Sequence, residues 1–168
     1  MNQLWFSVGY FRVVAVWIRA TPHDTGVKMQ SEIEKTSSQE AEEEAGDTSI
    51  LVADDDDVIR GLVTTLIEKS GYSVFEAADG SEAVDKFREH RDEIDLLVFD
   101  VRMPGKDGKQ AYDEIRQIRP DIKVLFISGY GSDVLEKYGV NREDFQVISK
   151  PFMPGDLISH IKTCLSGP

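Results

Sequence analysis

Four groups of chemically capable residues lie along this chain, each at the end of an apolar run. Asp100 closes Leu96-Leu97-Val98-Phe99 and leads into Val101-Arg102-Met103-Pro104-Gly105. Ile50-Leu51-Val52-Ala53 ends in Asp54-Asp55-Asp56-Asp57, Phe126-Ile127 in Ser128-Gly129-Tyr130, and the run to Ile148 in Ser149-Lys150-Pro151-Phe152. A carboxylate delivered to a strand end, where a proline-glycine turn begins, is placed to accept a phosphate. If the runs before Asp54 and Asp100 are neighbours, Asp54, Asp55 and Asp100 converge, and like charges so close raise one another's pKa unless a cation neutralises them. Magnesium suits such a site: it takes hard oxygen ligands, needs few carboxylates and keeps waters that phosphate oxygens can replace. Calcium suits it less, since no loop of alternating oxygen ligands follows. One helix cap accounts for Asp57, just before Val58. Asp56 fits either a cap or a hydrogen bond within the site.

The elements that must position these groups follow from hydrophobic pattern. Residues 50–53, 74–77, 96–99, 124–127 and 146–148 read as buried strands. Between them Val58, Leu62, Thr65, Leu66 and Lys69 recur at helical spacing, as do Ala83, Val84 and Phe87, then Ala111, Ile115 and Ile118. Leu157, Ile158, Ile161 and Leu165 mark a last helix, and Ser70-Gly71, Asp79-Gly80, Asp107-Gly108 and Arg119-Pro120 read as turns. Strands alternating with helices through short connections predict an α/β fold, a doubly wound parallel sheet covered on both faces. Such sheets carry their sites at the carboxyl ends of the strands, where all four groups fall.

The acids after the first run, Asp100, Ser128 and Lys150, in this order and spacing, resemble the receiver domain of bacterial two-component response regulators. The resemblance covers residues 48–165. It implies a (βα)5 flavodoxin-like fold with strand order 2-1-3-4-5 and Asp100 as phosphoacceptor. It also implies Mg2+ bound by Asp55, Asp100 and the backbone carbonyl of Arg102, with Asp54 acting through water. Lys150 is expected to pair with Asp100 and then with the phosphoryl group, and its bond to Pro151 to be cis. Ser128 is expected to donate its hydroxyl to a phosphoryl oxygen, with Gly129 leaving room. Many members carry an aromatic switch residue three before the lysine. Here that position is Val147, so Phe145 or Tyr130 is the expected substitute. Phosphoryl lifetime in the family depends on the positions of Arg102 and Tyr130, both bulky and neither suited to orienting water, which implies slow self-dephosphorylation.

The resemblance further implies a donor, a histidine kinase or histidine phosphotransfer protein, docking over Asp100 through the first helix and nearby loops. Output would use the face of the fourth helix, fifth strand and fifth helix, through which a homodimer or another protein target could bind. The expectation is a signalling module that catalyses only its own phosphorylation and slow dephosphorylation. The chain reads as a single-domain regulator or the receiver of a hybrid sensor kinase, with a domain over 48–168 and an extension and acidic linker over 1–47.

Composition narrows the rest. The 168 residues carry a net charge of -12, which argues against nucleic-acid binding, since phosphate contacts need clustered Lys and Arg. A single cysteine, Cys164, rules out an intrachain disulfide and fits a reduced cytoplasm. The apolar stretch at residues 4–20 is interrupted by Arg12 and ended by Arg19, too short to span a bilayer and lacking the charge order of a signal peptide. His23, His90 and His160 form no metal pair or catalytic base. The rival from another class is a haloacid-dehalogenase-like, magnesium-dependent phosphatase that also forms an aspartyl phosphate. It needs a second acid two residues after its nucleophile, where Arg102 stands. A nucleotide-binding module lacks its glycine-rich loop.

Overall fold

A computed structural model describes residues 48–167. The expected extension over residues 1–47, with its apolar stretch, linker and His23, lies outside them. The chain runs β1 (Ser49–Ala53), α1 (Asp57–Glu68), β2 (Ser73–Ala77), α2 (Gly80–Glu89), β3 (Ile94–Asp100), α3 (Gly108–Ile118), β4 (Lys123–Ser128), α4 (Ser132–Leu135) continued by a 3-10 turn (Glu136–Tyr138), β5 (Gln146–Ser149) and α5 (Pro154–Ser166). All strand pairs are parallel, in the order β2-β1-β3-β4-β5. This is the doubly wound, flavodoxin-like sheet expected.

Alternation along each strand feeds two cores. Leu51, Ala53, Leu97, Phe99 and Phe126 face one way and pack with Phe87 of α2 and Ala111 and Ile115 of α3. Ile50, Val52, Val98, Leu125 and Ile127 face the other, against Val63 and Ile67 of α1 and Leu157 and Ile161 of α5. Phe87, Phe99 and Phe126 are fully buried, and each such side chain contributes about 1.5–3 kcal/mol from burial. Because both faces are covered, the central strands read as continuous apolar runs.

Two readings of the helices need correcting. The inner stripe of α1 is Val63, Thr64 and Ile67, with Ile59 and Leu66 half-buried, whereas Val58 and Leu62 stand exposed at 78% and 49%. The pairs Asp79-Gly80 and Asp107-Gly108 are helix starts. Asp79 caps α2 by accepting from the amides of Ser81 and Glu82, and Asp107 forms a reciprocal capping box with Gln110 in α3. At the sheet's outer edge Arg142 donates to the carbonyl of Val147 at 3.1 Å and to the hydroxyl of Ser149 at 2.8 Å.

Candidate functional site

Parallel pairing sets the ends of β1, β3, β4 and β5 side by side. Ala53 pairs with Phe99, Asp100 with Ile127, and Ser128 with Ser149. The residues just beyond these ends line an open cavity of about 730 Å3 that includes Asp54, Asp55, Asp100, Arg102, Tyr130 and Lys150.

Asp100 is 8% exposed and its two carboxylate oxygens are differently held. The Arg102 amide donates to Oδ2 at 2.7 Å, and Lys150 Nζ donates to Oδ1 at 2.5 Å. The same ammonium donates to Asp54 Oδ2 at 2.7 Å, while Asp54 Oδ1 accepts from the Asp56 amide at 3.0 Å. One cation is thus shared by two buried carboxylates. Burial pushes the Asp100 carboxyl above its ordinary pKa despite the Lys150 contact. Burial also works to lower the Lys150 pKa, and its bonds to Asp100 and Asp54 more than offset this, leaving the ammonium firmly charged. The Lys150-Pro151 bond is cis, as expected.

Asp54 therefore meets Lys150 directly. Asp55 is exposed at the mouth, without a hydrogen bond or ion pair to another described side chain. Asp56, not Asp57, is the cap of α1, accepting from the amides of Val58 and Ile59 at 2.9 and 3.2 Å. The helix enters one residue earlier than the pattern suggests, so Asp57 becomes its first residue and pairs with Arg60. Arg60, which no motif marks, donates to the Asp54 carbonyl at 2.7 Å and pairs with Glu76, bracing the end of β1. A basic residue one turn after the acid run is the only signal that could have singled it out.

Ser128 lies beneath the cavity at 1% exposure, its Oγ accepting from the Tyr130 amide at 3.1 Å. A Cβ at Gly129 would meet no atom within 4 Å, so the space there is open whatever the residue. Val147 is buried in β5. Phe145 packs edge-on against Tyr112 and Phe126 at 5.6 and 5.4 Å between centroids. Tyr130 is exposed, and its hydroxyl accepts from the Arg102 guanidinium.

Gly108, a turn residue by sequence, fixes the floor of the site. Its amide donates to the Val101 carbonyl at 3.1 Å, and a Cβ there would sit 2.1 Å from the Asp100 carbonyl oxygen. No side chain fits without displacing the acceptor strand. The Val101 amide in turn donates to the Ile127 carbonyl at 3.0 Å, tying this loop to β4.

The anionic groups lining the cavity, Asp54, Asp55, Asp56 and Asp100, are carboxylates, hard oxygen donors of the kind magnesium takes, and the cavity has room for the waters that ion keeps. Among the described residues no three Asp, Glu, His or Cys side chains converge as a complete metal cage.

A model of the response regulator receiver domain matches residues 50–162. The chain is 34% identical over 127 residues to the sensor kinase CckA of Brucella abortus (strain 2308), covering 76% of this chain and 13% of that protein. It is 34% identical over 116 residues to the response regulator receiver protein CpdR of the same strain, covering 69% of this chain and 95% of CpdR. Among solved structures, the receiver domain of the hybrid histidine kinase CckA superposes with a TM-score of 0.60 at 34% identity, over 70% of this chain and 99% of that one. Chemotaxis protein CheY4 of Vibrio cholerae gives a TM-score of 0.63 at 27% identity, over 70% of this chain and 98% of that one. With a parallel sheet in the order 2-1-3-4-5 and a family match across most of that sheet, the chain belongs to the response regulator receiver domain family.

Proposed function

We propose that this chain accepts a phosphoryl group on Asp100 from a histidine kinase or histidine phosphotransfer protein and passes the change to a protein partner. The observation that carries the reading is the Lys150 ammonium held between Asp100 and Asp54 at the cavity mouth. Asp100 Oδ1 attacks the phosphorus in line, an O–P bond forms, and the P–N bond to the donor imidazole breaks. Lys150 follows the charge from the carboxylate to the phosphoryl oxygens, a task suited to a compact, mobile cation. The Arg102 amide holds Oδ2 throughout. Ser128 turns its hydroxyl to a phosphoryl oxygen. Asp55, Asp100 and the Arg102 carbonyl would hold Mg2+, with Asp54 behind them. When bound, the ion neutralises phosphoryl charge and orients the donor.

Docking of the donor uses α1 and the loops beside the site, where Val58 and Leu62 on α1 and Met153 after the Lys150-Pro151 bond are exposed apolar residues. The output face is α4, β5 and α5, open to a protein target or a second copy. We place the unit at residues 48–168, with residues 1–47 as an appendage, and its setting in the cytoplasm. Among the described residues no helix is long and apolar enough to cross a membrane. Nothing in the site favours the phosphatase reading, since the Arg102 side chain turns to Tyr130 where that chemistry needs an acid.

The test is intact-mass detection of a phosphoryl adduct after incubation with acetyl phosphate, with magnesium, with chelator, and in Asp100→Asn. One adduct that requires both magnesium and Asp100 is expected. An adduct that survives Asp100→Asn overturns the reading, as does the lack of any adduct, with magnesium, from both acetyl phosphate and a phosphorylated histidine phosphotransfer protein.

A further inference from the structure

We infer that Arg102 and Tyr130 form a latch across the Asp100 mouth, held shut by the Ser128 hydroxyl and released when that hydroxyl turns to a phosphoryl group. The inference rests on the acceptor role of Asp100 and adds the device that reads it.

The two latch residues come from different loops, one after β3 and one after β4, and both line the cavity. The guanidinium of Arg102 donates to the Tyr130 hydroxyl, and its central carbon lies 5.7 Å from the ring centroid, so it grips the ring at its hydroxyl end. The Tyr130 amide is in turn tied to Ser128 Oγ at 3.1 Å. One tyrosine thus links the buried hydroxyl to the roof of the site.

Asp100 has the Arg102 amide and Lys150 as its partners, and Ser128 is not among them. On phosphorylation of Asp100 the Ser128 hydroxyl swings about its single side-chain torsion towards a phosphoryl oxygen. The Tyr130 amide then loses its acceptor. The closed latch is an exposed contact of modest strength, so a small change at its root suffices to shift the balance between closed and open states. The alternatives are poorly placed for this task. Val147 is buried and has no polar atom in its side chain, and Phe145 is packed between Tyr112 and Phe126.

The experiment follows the tyrosine rings of the full chain by NMR with 13C-labelled tyrosine, Tyr130 being identified by its loss in Tyr130→Phe. Without phosphodonor, Ser128→Ala should shift the Tyr130 ring signals towards those of Arg102→Ala, while Ser128→Thr, which keeps the hydroxyl, leaves them in place. Tyr72, Tyr112 and Tyr138, within the described domain, report that the fold is intact. Acetyl phosphate and magnesium should shift Tyr130 in the same direction, with the adduct counted by intact mass on the same sample. An adduct with Tyr130 unmoved overturns the latch and leaves the acceptor role standing. Absence of an adduct from both acetyl phosphate and a phosphorylated histidine phosphotransfer protein overturns the acceptor role and the latch's trigger with it. If Ser128→Ala fails to fold, the phosphorylated parent decides alone.

Discussion

Replacing Lys150 with methionine removes the one cation between Asp54 and Asp100 and keeps most of the side-chain volume. The two contacts, at 2.7 and 2.5 Å, are each worth about 6 kcal/mol at an effective dielectric of about 20. Desolvation of the ammonium and carboxylates takes back several kcal/mol per ion. Breaking a buried pair from one side costs about 3–5 kcal/mol, and the Lys150 side chain keeps 23% of its exposure, which lowers that figure. The loss also has a ceiling. Protonating one carboxyl of ordinary pKa, about 4, relieves the repulsion at pH 7 for about 4 kcal/mol. A destabilisation of about 2–3 kcal/mol at pH 7 is therefore expected for Lys150→Met, a fall of roughly 10 °C in Tm for a domain of this size. Urea and thermal unfolding followed by far-UV circular dichroism measure it, because both tryptophans, Trp5 and Trp17, lie far from the site in sequence. The loss should shrink as pH falls towards 5, where one carboxyl takes a proton, and magnesium should stabilise the variant more than the parent. A variant as stable as the parent at pH 7, or a loss that does not change with pH, would refute this reasoning.

Four further outcomes are expected. The Asp100 carboxyl has a raised pKa in the folded state, so its contribution to stability is full below the ordinary carboxylate range and is lost as pH rises through the raised value. Asp100→Asn should accordingly match the parent in acid and exceed its unfolding midpoint at pH 7. Gly108→Ala forces a methyl against the Asp100 carbonyl and should cost about 3 kcal/mol in urea unfolding, with phosphoryl uptake falling as well. Thr64 Oγ1 is buried with no hydrogen-bond partner, so Thr64→Val should raise stability by about 1 kcal/mol in the same assay. The bulky pair at Arg102 and Tyr130 should make self-dephosphorylation slow, and a half-life of seconds in a single-turnover decay would contradict that expectation.

The strands were legible because a parallel sheet covered on both faces demands unbroken apolar runs, and their ends marked the site because side chains there leave the sheet together. The inner face of α1 was not. Val58, Ile59, Leu62, Val63, Leu66 and Ile67 surround much of that helix, so periodicity offers two stripes, and only packing against β1, β2 and α5 chooses Val63 and Ile67. Asp-Gly pairs read as turns until Asp79 and Asp107 are seen to satisfy free helix amides. The fourth helix was invisible to periodicity, since Ser132–Leu135 is about one turn long. Within the site, Asp54, Asp100 and Lys150 were foreseen as neighbours. That one ammonium serves both acids depends on a distance that spacing alone does not set, as does the meeting of Arg102 with Tyr130 across 28 positions.

The placement of Arg142 on the outer strand bears on how this molecule can assemble. A bare border strand invites another chain to extend the sheet, because its unpaired backbone groups act as a template. Here the border has four residues, and the carbonyl of Val147 is already taken by a guanidinium that also grips Ser149. Growth of the sheet from one copy into the next is disfavoured on that side. Whatever binds there must do so through side chains and surface shape, which a change at the mouth can alter reversibly, rather than through backbone annealing, which would tend to lock copies together.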